Sequence, residues 1–260
     1  MKDFHMLRSD IDDAVKTLDD VTKDIDAILS KKRSGDKSAM RKNLFILLFV
    51  FFCACGSSSN QIPQWKDTSF TQLENYKKNF LMDKEEATEP HFAKAKKAIA
   101  GSNDLNLLAR IYLTKYALHT AALEDFDDSE FIRINKLQPV ASNLAYYNFL
   151  KGNFTAVEDG FLPSNYSSFI KIAKNKDLAK AVQEIPSIND PLSRLIACGI
   201  WIKYLPYDEN VLQIAVNTCA DNAWKRPLWA YLTKLQKYYL DRGETAKAEN
   251  IKERLELLKK

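Results

Sequence analysis

The sequence predicts an all-α protein. Apolar residues recur at helical spacing through long stretches, and no segment alternates apolar with polar residues as a strand would. The seven Gly and eight Pro are few for 260 residues and fall between the periodic stretches.

The first element is an amphipathic segment within residues 1–39. Leu7, Ile11, Ala14, Leu18, Val21, Ile25 and Ile28 recur at alternating spacings of four and three, a coiled-coil pattern with Asp, Lys and Thr between. Residues 40–54 follow, with Arg41 and Lys42 before an unbroken apolar run from Leu44 to Phe52. Nine apolar residues match the core of an export signal and fall far short of the roughly 20 that span a bilayer. The Gly56-Ser57-Ser58-Ser59-Asn60 tract opens a flexible tether read over 55–69.

The body is read as residues 70–260. The spacing predicts helices over 70–82 and 86–100, with Gly101 suited to a left-handed cap. Asp104 is placed to cap a long helix to Leu123, and the acidic turn Glu124-Asp125-Phe126-Asp127-Asp128 precedes a short helix over 129–137. Further helices are expected near 141–151, 163–175, 177–185, 190–205, 208–221, 227–242 and 244–258. Pro163, Pro191 and Pro227 fall in first turns, where a missing N–H is tolerated, and Pro186 and Pro206 close the helices before them. The segment Leu195 to Ile202 is apolar on every side, which marks a central helix, and Gly199 within it implies another helix pressing close.

These helices pair into antiparallel hairpins, most plainly in LTKLQKYYLDRGETAKAENIKERL. Leu232, Leu235 and Tyr239 line one face, Gly243 breaks the chain, and Ala248 begins the facing side. This spacing resembles a tetratricopeptide repeat, although Leu232 stands where the repeat has Trp and Lys252 where it has an aromatic residue. Hairpin starts near 70, 104, 140, 163, 190 and 227 are unevenly spaced. The expected architecture is therefore a solenoid of this kind or an irregular helical bundle.

The run Phe52-Cys53-Ala54-Cys55-Gly56 resembles the lipobox of bacterial lipoproteins, with Phe52 where the family has Leu. The resemblance implies cleavage after Ala54 and acylation of Cys55. Gly56 resembles the sorting pattern that sends such proteins to the outer membrane, with the body in the periplasm. Since a signal 54 residues long exceeds the usual 15–30, translation is expected to start at Met40. The alternative is a cytoplasmic coiled coil on an uncleaved anchor.

Residues 55–260 carry a formal charge of +3, too balanced to indicate nucleic-acid binding. Cys198 and Cys219 flank a turn at 206–208, about 10 Å before it and about 15 Å after it along their helices. That offset strains disulfide geometry, so two buried free thiols are expected. Ser168-Phe169-Ile170-Lys171 matches the Ser-x-x-Lys of penicillin-interacting enzymes but lacks the Lys-Thr-Gly that accompanies it. His91 has Glu85, Glu86 and Glu89 nearby without a metal spacing, and His119 is expected to be half-buried with a local partner. No catalytic residue, cofactor or metal site is predicted.

What remains is binding. Lipoproteins with tetratricopeptide-like bodies include barrel-assembly factors, secretion-pore pilotins and activators of peptidoglycan synthesis. That resemblance implies a scaffold or adaptor with a protein partner in the cell envelope, anchored to the bilayer through its acylated N-terminus. Tyr146, Tyr147, Tyr207, Trp224 and Trp229 are the candidate contacts, with Tyr204, Tyr238 and Tyr239 behind them. Most of these aromatics are expected in inter-helix packing, with two or three exposed. A peptidoglycan-acting enzyme or a small-ligand binder are the alternatives. A long open groove would indicate a protein partner, and a closed pocket a ligand.

Overall fold

A computed structural model describes residues 63–158 and 160–259. The amphipathic segment 1–39, the signal, Ala54 and Cys55 lie outside the described residues. Among those described, eleven α-helices and no strands are found. They are α1 (Gln64–Leu81), α2 (Glu85–Ala100), α3 (Leu105–Ala121), α4 (Ser129–Leu137), α5 (Ala141–Leu150), α6 (Ser167–Asn175), α7 (Leu178–Glu184), α8 (Pro191–Tyr204), α9 (Glu209–Asp221), α10 (Lys225–Asp241) and α11 (Thr245–Leu258). Short 3₁₀ turns occupy Phe154–Ala156, Ser164–Tyr166 and Ile185–Ser187.

Helix starts follow the expected chemistry. Asp104, Asp177, Asp190 and Asp208 each accept a hydrogen bond from the third N–H of the following helix, at 2.8, 3.1, 2.7 and 3.2 Å. A cap of this type satisfies one of the N–H groups that the first helical turn leaves open. Boundaries differ from the sequence reading in three places: the helix expected from 163 begins at Ser167, behind the 3₁₀ turn Ser164–Tyr166, and the other two lie at α1 and Gly101. Helix α1 begins at Gln64, so residues 64–69 are helix rather than tether, and Ser69 is buried while Trp65 packs on the core. Gly101 has φ −72°, in the right-handed region, and Asn103 takes the left-handed position at φ 56°.

Helix ends repeat one device. After α1, α3, α5, α6, α9 and α10 a residue adopts positive φ: Asp83, Leu123, Gly152, Lys176, Ala223 and Gly243. In each case the next N–H reaches back five residues, as in Lys84 to Asn79 (2.9 Å), Trp224 to Cys219 (2.9 Å) and Glu244 to Tyr239 (2.9 Å). This is the Schellman motif, which satisfies carbonyls the helix leaves open. After α1, α6, α9 and α10 the residue that closes the motif is also the N-cap of the next helix. Antiparallel neighbours are thereby joined with no slack.

The C-terminal hairpin forms as its sequence indicates, with Leu232, Leu235, Tyr239 and Ala248 buried between α10 and α11. Lys252, in place of an aromatic residue, is exposed and paired with Glu249. The hairpins do not only stack on their sequence neighbours. Helix α3, with nine buried residues, packs against α1, α2, α4, α5 and α8, and α1 also touches α10. A solenoid repeat contacts only its neighbours, so these long-range contacts select the irregular bundle of the two expected architectures.

All eight residues from Leu195 to Ile202 are buried, as a helix covered on every side requires. The helix pressing on Gly199 is α3, through the backbone of Thr120.

Candidate functional site

The five candidate aromatics are all half-buried against the core. On α5, Tyr146 packs on Phe149 (6.0 Å) and Tyr166 (6.3 Å), while Tyr147 stacks on Phe131 (4.7 Å) and donates to Asp128 (2.8 Å). Trp224 caps α10, and Trp229 carries the Lys259 ammonium 5.6 Å from its ring. Of the wider set, Tyr204 alone is exposed, at 39%, with its ring laid against Gly152. These residues are dispersed over the fold, with one exception. Tyr207, Tyr238 and Tyr239 form a short ladder with centroids 6.2 and 6.0 Å apart. Lys234 covers Tyr207 (5.5 Å), Arg242 covers Tyr238 (4.1 Å) and Lys247 covers Tyr239 (5.0 Å). Each such contact sets a cation against the electron-rich face of a ring.

Beside this ladder is a solvent-open depression of about 430 Å³ lined by Gln213, Tyr239, Ala246, Lys247, Asn250, Ile251 and Arg254. Helix α9 supplies Gln213, the end of α10 supplies Tyr239, and α11 supplies the rest. Lys247, Asn250 and Arg254 stand at i, i+3 and i+7 and so share one face of α11. Lys247 is held by Glu244 (2.7 Å) and Glu209 (3.3 Å), whose hydrogen bonds push its ammonium pKa up. The Tyr239 hydroxyl donates to Glu209 (2.6 Å), and this bond chiefly holds the Glu209 carboxyl below its ordinary range. Lys247 and Tyr239 are thus held in place through Glu209 and Glu244, beside the buried Ile251. None of the polar lining residues is a candidate from sequence, although the i, i+3, i+7 polar stripe was readable there.

The acidic turn proves to be a structural junction. Glu124 accepts from Arg226 (2.7 and 3.2 Å) and meets His119 Nδ1 (2.7 Å), while its carbonyl accepts from Lys203 (2.6 Å). The Arg226 guanidinium lies 4.2 Å from the Phe80 ring centroid, and His119 meets the same ring edge-on at 5.0 Å. One turn thus joins α1, α3, α8 and α10. Burial opposes ionisation of Glu124, but hydrogen bonds from His119 and Arg226 outweigh it and lower the carboxyl pKa. Lys203 likewise holds Asp125 low, Lys151 chiefly does so for Asp128, and Asp127 caps the Ser129 N–H. His119 is half-buried with a local partner, as its sequence surroundings indicate.

Ser168 and Lys171 are both exposed on α6. His91 Nδ1 meets Gln72 at 2.7 Å, and the nearby Glu89 is committed to Lys115 (2.9 Å). Cys198 and Cys219 are free and buried; burial pushes the Cys198 thiol up to about 12 and raises Cys219 as well. Among the described residues, no group of three or more His, Cys, Asp or Glu is arranged to hold a metal ion, and no helix is long and apolar enough to cross a membrane. Comparison of the chain with family models, curated proteins and solved structures finds no match.

Proposed function

We propose that this protein is a lipid-anchored adaptor of the bacterial cell envelope, attached through Cys55 and binding a protein partner with its helical body. The observation that carries the binding half is the open depression between α9 and α11, where fixed charges and a tyrosine ladder adjoin solvent. An open surface of this kind accommodates a protein segment better than a small molecule, which is usually enclosed. The lipobox-like sequence supports the anchor, and its Gly56 supports the periplasmic face of the outer membrane as the destination.

Two measurements test the reading separately. Cys55→Ser should abolish labelled-palmitate incorporation and maturation; unchanged labelling would remove the anchor. Crosslinking in intact envelopes should capture a reproducible partner with wild-type protein and with Ser168→Ala or Lys171→Ala. Capture should fail with Arg254→Glu or Asn250→Arg. Loss of function in folded Ser168→Ala or Lys171→Ala, with no partner captured, would replace the adaptor by an enzyme.

A further inference from the structure

The first five helices have a polarity the adaptor reading does not use. Helices α1 and α2 form an antiparallel hairpin, and Lys115 on α3 meets Glu89 near the start of α2 (2.9 Å). Asn143, at the start of α5, donates to Asn106 at the start of α3 (2.8 Å). Lys151, after α5, meets Asp128, before α4 (2.9 Å). The beginnings of α1, α3 and α5 therefore share one end of this layer with the finishes of α2 and α4. That end is also where the chain arrives from Cys55.

The two ends differ in chemistry. At the arriving end, Lys66, Lys96, Lys97 and Lys136 are exposed and none is ion-paired among the described residues. The same half carries exposed apolar side chains, Phe70 at 58%, Leu137 at 66% and Leu144 at 39%. Against them on these helices stand Asp67 and Asp104, the latter committed to capping α3. The opposite end also has exposed Lys78 and Lys84, but it gathers Asp83, Glu85, Glu86 and the acids of the 124–130 turn, several of them paired with Lys151, Lys203 and Arg226.

We infer that the arriving end docks on an anionic lipid surface. Lysines attract anionic headgroups, and exposed apolar side chains on the same half enter the interface. Reach favours the same occupant. Pro63 follows Cys55 by eight residues, so the start of α1 can stand no more than about 28 Å from the anchor. The opposite end, where acids accompany the cations, is attracted less by the same surface, and this difference gives the body a preferred orientation. The α9–α11 depression lies on the C-terminal helices, outside this layer. This inference rests on the lipid-anchored reading for its setting.

The test uses the full chain purified from membranes and placed in phosphatidylglycerol–phosphatidylcholine vesicles containing a headgroup spin-labelled lipid. A fluorophore is attached at Phe70→Cys or, as the comparison, at Glu86→Cys; Cys198 and Cys219 are buried and stay unlabelled. Any label on Cys53 or Cys55 is common to both variants and is subtracted using the protein without either substitution. Quenching should be several-fold stronger at position 70 than at 86 and should grow with the phosphatidylglycerol fraction. The combined Lys96→Glu, Lys97→Glu and Lys136→Glu variant should weaken the anionic preference roughly tenfold or more. Equal quenching at both positions, or a difference indifferent to lipid charge and to the reversals, would overturn the inference. Palmitate on the same preparation reads the anchor independently: its absence would sink the lipid-anchored reading while the quenching comparison still decides the docking.

Discussion

A β-carbon added to Gly199 would overlap the carbonyl oxygen of Thr120 and lie 2.9 Å from its carbonyl carbon. Two helix backbones, α8 and α3, meet there without a side chain between them. Gly199→Ala gains about 1 kcal/mol of helix propensity but forces backbone against backbone, where neither side can turn aside. The variant should be less stable by about 2 kcal/mol, within the usual range for overpacked cores. Denaturant midpoints of the two proteins measure it; a more stable variant would show that the helices separate easily.

Glu124→Gln keeps the shape of the junction and removes its charge, and should lower stability by about 2 kcal/mol by leaving the half-buried Arg226 without a counter-charge. The pH dependence has a definite sign. The folded-state pKa of Glu124 lies below the ordinary 4.5, so its contribution is complete above about pH 4.5 and is lost as pH falls through the lower folded value. The stability difference between wild type and variant should therefore shrink from pH 7 towards pH 3 in denaturant titrations. A constant difference would place the effect elsewhere than the carboxylate.

Lys176→Gly should stabilise the protein. Lys176 is exposed, has φ 54°, and closes α6 with a Schellman motif that glycine adopts without a β-carbon penalty. A gain of about 1 kcal/mol is expected, read as a raised denaturant midpoint with an unchanged slope. A loss would mean that the lysine side chain contributes more than its backbone strain removes.

Cys198 and Cys219 should resist alkylation in the folded protein at pH 8 and react fully in denaturant, because burial raises both thiols well above that pH. Peptide mapping after a timed iodoacetamide pulse distinguishes the two states. Native-state alkylation at the rate of a free thiol would indicate that α8 and α9 open.

The helices were legible because their apolar faces are local signals. Leu195 to Ile202 announces a buried helix in eight consecutive letters, and Asp104 announces its cap. The left-handed turns were hidden because four of the six Schellman positions are Asp83, Leu123, Lys176 and Ala223 rather than glycine. Gly101 attracted the assignment that Asn103 holds. The start of α1 was obscured because Gln64 to Ser69 is a polar run apart from Trp65, which packs against the core. The Glu124–Arg226 pair spans 102 positions, and no periodicity links its members. The α9–α11 depression was half visible: the polar stripe of α11 is local, but Gln213 and Tyr239 arrive only through the packing of three helices.

Helix α1 lies along α2 and also rests on α3 and α10. A pull on the chain at Pro63 along the helix axis would load the α2 and α3 contacts side by side, in shear, rather than opening them one after another. Phe80, held between the Arg226 guanidinium and the His119 ring, sits at the far end of that helix from the applied load. Tension along α1 would therefore be spread over its length before reaching this last clamp, and the body should yield to a sideways peel at smaller forces than to a pull along the helix.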